Sequence, residues 1–168
     1  MKPELQQMLN DCNAELNDID AKIKALAALD KTKQYLTNYA LMKVCGTVEF
    51  VYRSIIADFF AMLACSQIDN YLEQTVRSNS MGAKYETMRS LLGKFDGNWS
   101  ENFKDLVLSH IDANGNKDGQ KLISSSNSLV TNRNLFAHGK TPTASFASIV
   151  SYYMDVVILI NILDSVVK

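Results

Sequence analysis

The chain has 168 residues, 47% of them apolar and 21% charged, with 7 Gly and 2 Pro. That length suits one domain with a sizeable core, and that composition excludes a disordered or collagen-like chain and permits long helices. A formal net charge of −1 excludes binding of nucleic acid through the overall field, so any polyanion must be held by a local patch.

From the N-terminus, residues 3–29 read as an amphipathic helix. Leu5, Met8, Leu9, Cys12, Leu16, Ile19, Ile23 and Leu26 recur at three- and four-residue spacing, and Pro3 suits a first turn. Residues 32–76 are the most apolar segment, with Leu41, Val44, Val48, Val51, Ile55, Phe59, Met62 and Leu63. All-round apolarity predicts a helix buried on several sides, with a break near Cys65-Ser66-Gln67 because one unbroken helix would be unusually long. Ser78 to Gly82 is a connection. Another helix covers residues 84–95, Asp96-Gly97-Asn98 is a turn, and Ser100 is the expected cap of the next short helix. Residues 112–119 form a loop. A helix over residues 120–138 stops at Gly139, in the C′ position. Thr143 is the expected cap of a final apolar helix ending near Val167. The pattern is all-α over residues 1–168 as a single domain, with no repeat and no strand-like alternation.

Cys12, Cys45 and Cys65 lie far apart in apolar helical contexts, which predicts buried free thiols rather than a zinc site or disulfide frame. Met1 to Leu5 lacks the apolar run of a secretory signal, so a cytoplasmic location is expected. The longest apolar runs contain Asp58 or Asn161, and the expectation is that none spans a bilayer. The Asp112–Gly119 loop resembles a calcium loop only superficially. Counted from Asp112, the sixth and twelfth positions hold Lys117 and Ile123 instead of Gly and Glu. No metal or cofactor is expected.

The informative stretch is Arg133-Asn134-Leu135-Phe136-Ala137-His138-Gly139. A cation, an amide and an imidazole at one helix end suit a phosphate. Asn134 and His138 share a helical face, while Arg133 lies about 100° round from Asn134 and does not share a face with His138. Gly139 frees His138 from helical register, and the helix C-terminus favours a protonated imidazole. His138 could then serve in acid–base chemistry while Arg133 meets phosphate charge. Against this stands simple C-terminal capping. Glu49 sits amid apolar residues, where an unpaired charge is costly. It either holds Arg133 or His138 from a neighbouring helix or pairs with Arg53 within its own helix. His110, Tyr152, Tyr153 and Trp99 read as structural.

The Arg133–Gly139 stretch resembles the Arg-x4–6-His motif of HEPN domains, in its Arg-Asn-x-x-x-His form. Its place at the end of a penultimate helix, before a long apolar final helix, agrees. Val44 to Phe50 is similar to the acidic early-helix segment of several HEPN subgroups, and the RiboL-PSP-associated subgroup is the nearest likeness. The resemblance implies an HEPN-like up-and-down helical bundle with a long N-terminal helix. It implies a metal-independent endoribonuclease in which Arg133 and His138 are catalytic, Asn134 orients the site and Glu49 supports it. It also implies a homodimer with a composite active site, attack by the ribose 2′-hydroxyl, and a place in toxin–antitoxin or antiviral defence, with an antitoxin or effector partner. A different class remains open: a non-catalytic HEPN-like RNA-, nucleotide- or protein-binding module.

Overall fold

Helix α1 (Pro3–Ala25) lays one apolar stripe, Leu5, Leu9, Cys12, Leu16 and Ile19, against the rest of the molecule. The coordinates are a computed structural model that describes residues 1–61, 65–79 and 81–168. Helix α1 ends earlier than its sequence pattern suggests. Leu29 is 96% exposed, so extending the helix to it would bury nothing that offsets the cost of ordering the backbone. Asp30 instead accepts from the Thr32 N–H (2.8 Å) and opens α2.

Helix α2 (Thr32–Ala61) is the buried helix the sequence predicts: Leu41, Val44, Val48, Val51, Tyr52, Ile56 and Ala57 are all inaccessible. The expected break is present, with extended Cys65 preceding α3 (Ser66–Leu72). A π-helical turn (Glu73–Arg77) follows. The expected helical residues Met62 and Leu63, and Ser80 of the connection, lie outside the described residues.

Helices α4 (Tyr85–Phe95) and α5 (Gly97–Ser109) pack as a pair. Asp96, not Ser100, caps α5: its carboxylate accepts from the Asn98 N–H at 2.7 Å. The chain enters the helix four residues before the expected point. Trp99 therefore lies inside α5, and its ring meets Phe59 edge-on at 5.1 Å. The 112–119 loop is a self-bonded turn. Asp112 Oδ1 accepts from the N–H groups of Asn114 and Asn116, each at 2.9 Å. No cluster of metal-ligating side chains occurs among the described residues.

Helix α6 (Gly119–Ala137) begins at a glycine for a steric reason. A Cβ at Gly119 would lie 2.1 Å from the Val107 carbonyl oxygen, so only glycine lets α6 start this close to α5. Helix α7 (Phe146–Val166) packs on α1, α2, α5 and α6. Ser145, not Thr143, caps it, accepting from the Ser148 N–H at 3.1 Å. By length and composition α7 is apolar enough to cross a membrane, which corrects the expectation that no run qualifies. Here one face of that apolar helix is covered by protein. Ile149, Tyr153, Val156, Leu159, Ile160 and Leu163 are buried. The Tyr153 hydroxyl donates to the Leu9 carbonyl at 2.5 Å. Buried Asp155 accepts from Lys121 (2.8 Å) and Ser125 (2.6 Å), so the charge on α7 is paired rather than bare. The architecture is an all-α bundle with a long N-terminal helix, and α2 and α7 form its interior.

Cys12 and Cys45 are buried free thiols, whereas Cys65 is exposed. The helix break places Cys65 outside both flanking helices, so no apolar face covers it.

Candidate active site

The last turn of α6 is closed by two backbone bonds of the Schellman type. The Lys140 N–H donates to the Leu135 carbonyl at 2.8 Å, and the Gly139 N–H to the Phe136 carbonyl at 3.0 Å. Gly139 has φ 72°, the left-handed conformation this closure requires. His138 is the residue before it and has already left helical geometry (φ −96°, ψ 20°). Its imidazole is exposed.

His138 and Asn134 line one open groove of about 340 Å³, together with Lys84, Thr131, Leu135 and Lys140. No carboxylate is in that lining. Lys84 and Lys140 form no ion pair with described residues, so the groove is a local basic patch on a chain whose net charge is −1. Neither lysine stands out in the sequence. Lys84 precedes α4 and Lys140 follows α6, and only the packing of α4 on α6 brings them together.

Arg133 lies beside this groove, against Asn134, rather than in its lining. Its guanidinium donates to Asn134 Oδ1 at 3.2 Å and stands 3.7 Å from Glu49 Oε2 on α2. Arg133 is not among the residues lining the His138 groove. The structure thus joins Arg133 to Asn134 and Glu49, and Asn134 to His138, but makes no direct contact between Arg133 and His138. Glu49 is 6% exposed, and its Oε1 has no hydrogen-bond partner. Burial pushes the Glu49 carboxyl above the ordinary carboxylate range, and the positive charges of Arg133 and then Arg53 oppose that shift. The two alternatives for Glu49 separate here. Arg53 donates its Nε–H to the Glu49 backbone carbonyl at 2.7 Å, so the carboxylate is left to face Arg133.

Asn132, one residue before Arg133, positions the connection that follows. Its Oδ1 accepts from the N–H groups of Thr143 (2.8 Å) and Ala144 (2.9 Å), and its Nδ2 donates to the Ser128 carbonyl at 2.9 Å. Thr143 and Ala144 lie eleven and twelve residues downstream, so no local pattern announces them. His110 is occupied elsewhere, with Nδ1 2.6 Å from the Asp118 carboxylate at the base of the 112–119 turn. Tyr153 is a core residue. Only His138 of the two histidines reaches the groove.

Among curated proteins and solved structures, nothing matches the chain. A model of the RiboL-PSP-HEPN family matches residues 7–168, which include all four candidate residues.

Proposed function

The chain belongs to the RiboL-PSP-HEPN family, and from that premise we propose that it is a metal-independent endoribonuclease working from the C-terminal turn of α6. The observation that carries this reading is the groove in which His138 and Asn134 meet two lysines and no carboxylate. An RNA phosphate entering it meets positive charge with no carboxylate in the lining to oppose it. The reaction is attack of a ribose 2′-oxygen on the adjacent phosphorus. The 2′-O–P bond forms and the P–O5′ bond breaks, leaving a 2′,3′-cyclic phosphate and a 5′-hydroxyl. His138 exchanges the proton that leaves the 2′-hydroxyl or reaches the 5′-oxygen. A guanidinium in bidentate contact stabilises the charge that builds on the phosphoryl oxygens. Asn134 touches both the Arg133 guanidinium and the groove, which suits it to orient the two.

Because Arg133 is absent from the lining of the groove of its own copy, the reading includes a homodimer. Arg133 of one copy then serves the groove of the other. The cell compartment is the cytoplasm, and the role is that of a toxin in defence, restrained by an antitoxin or effector partner. The absence of Arg133 from that lining also supports a second reading, a non-catalytic module in which the same groove binds RNA or a nucleotide.

The test is incubation of the purified protein with total or transfer RNA in EDTA. The expected result is cleavage to cyclic-phosphate ends that His138→Ala and Arg133→Ala each lower by roughly 10²–10⁴-fold with the fold intact. Mixing the two inactive variants is expected to restore part of the activity, since each supplies the group the other lacks. Full activity in either variant would remove the site assignment. Binding without cleavage would favour the module. Growth arrest on expression that depends on His138 tests the toxin reading.

A further inference from the structure

Beside the His138 groove, and sharing Lys140 with it, lies a second cavity of about 240 Å³. Its lining is Gln34 and Asn38 from α2, Phe136 from α6, and Gly139, Thr141 and Pro142 from the turn. Its chemistry differs from that of the groove. Phe136 is 38% exposed at this spot, a large aromatic face left in water next to a basic site. Gln34 and Asn38 stand one helical turn apart, and the Gln34 amide N–H donates to Asn38 Oδ1 at 3.0 Å. That bond aligns the two amides and leaves the Gln34 side-chain oxygen and both Asn38 Nδ2 N–H groups without a partner among the described residues. An acceptor and a donor side by side match the edge of a nucleobase.

We propose that this cavity is a base-recognition subsite of the His138 groove. It takes one unpaired nucleobase of single-stranded RNA, stacked on Phe136 with its edge against Gln34 and Asn38. Lys140 holds the phosphate that links this nucleotide to the one in the groove. Three features point the same way. The aromatic face is what a flipped-out base stacks on in sequence-tolerant binding. The amide pair supplies a directional edge that a merely apolar dimer contact would not use. Lys140 borders both cavities, so one backbone can run through them. The wall is fixed by the Schellman closure at Gly139 and by the Asn132 bonds to residues 143 and 144, so the turn is preorganised for a ligand.

This subsite rests on the RNA reading of the groove, and the experiment separates the two. Equilibrium binding of fluorescent single-stranded oligonucleotides, namely the four homopolymers and a mixed sequence, is measured in the His138→Ala background, where no substrate is lost to cleavage. Phe136→Ala is expected to weaken binding of the preferred homopolymer about tenfold, the scale of one lost base stack. Phe136→Trp is expected to restore it. Gln34→Ala with Asn38→Ala is expected to flatten the ranking of the four homopolymers while leaving binding of the weakest within about twofold, because phosphate contacts carry no sequence information. RNA binding that is unchanged in both affinity and ranking by these variants would overturn the subsite and leave the RNA reading standing. Equal loss for every homopolymer in the amide variant would overturn base recognition. Absence of RNA binding by the parent protein would overturn both.

Discussion

Asn132→Ala tests whether the connection after α6 is held from within the helix. The substitution removes the acceptor of the Thr143 and Ala144 N–H groups and the donor to the Ser128 carbonyl. The Ser128 carbonyl remains part of the helix ladder, so its loss counts for little. The two N–H groups are the main term. Residues 143 and 144 are partly solvent-accessible, so water can reach the freed donors and the cost stays near the ordinary net value of about 1 kcal/mol per bond. The sum is about 2 kcal/mol, and a domain of this size converts that into a fall in Tm of roughly 4–8 °C. Thermal melts followed by circular dichroism or calorimetry give the number. Asn132→Asp keeps the acceptor and loses only the Ser128 contact, so it is expected to lose about half as much or less. An Asn132→Ala melt within about 1 °C of the parent, or an Asp variant as damaged as the Ala variant, would refute the reasoning.

Glu49→Gln changes stability in a pH-dependent direction. Because burial raises the folded-state pKa of Glu49, the folded chain holds that proton more tightly than the unfolded chain. Stability is therefore lost as pH rises from the ordinary carboxylate range through the raised value. The Gln variant lacks this loss, so its advantage over the parent should grow with pH in urea melts, while cleavage falls as Arg133 loses its counter-charge. An advantage that shrinks with pH would contradict the assignment. Thiol titration with a chromogenic disulfide should give one fast equivalent in the native protein and three after denaturation. Cys65 is exposed, while Cys12 and Cys45 are buried and burial pushes the Cys45 thiol up to about 12. A native Cys65→Ser variant that still reacts rapidly would contradict it.

Much of the fold is legible because helices advertise their buried faces. The spacing of Leu5, Leu9, Cys12, Leu16 and Ile19 names the stripe that α1 buries, and Gly139 names the end of α6 from its φ requirement alone. What stays hidden depends on where the chain enters an element or on partners far away. Ser100 and Thr143 are capable caps, but Asp96 and Ser145 stand where the backbone turns helical. The environment of Cys65 depends on a break whose position is legible while its exposure is not. At the site, His138 and Asn134 follow from helical geometry, as does the divergence of Arg133. The choice of Glu49 between Arg53 and Arg133 does not, because Arg53 satisfies itself on a backbone carbonyl that no sequence pattern reveals. Lys84 and Lys140 become meaningful only once α4 lies against α6.

The contact between Tyr153 and the Leu9 carbonyl has a consequence for the order of assembly. It joins residues 144 positions apart, and α7 is the surface on which α1, α2, α5 and α6 all close. While a ribosome is still making α7, the earlier helices have α2 to pack on but lack the other half of the interior. A folded α6 tip with His138 and its two flanking cavities is thus a late product of synthesis. A chain stalled before α7 would carry the whole Arg133–His138 motif and still lack the framework that gives it shape.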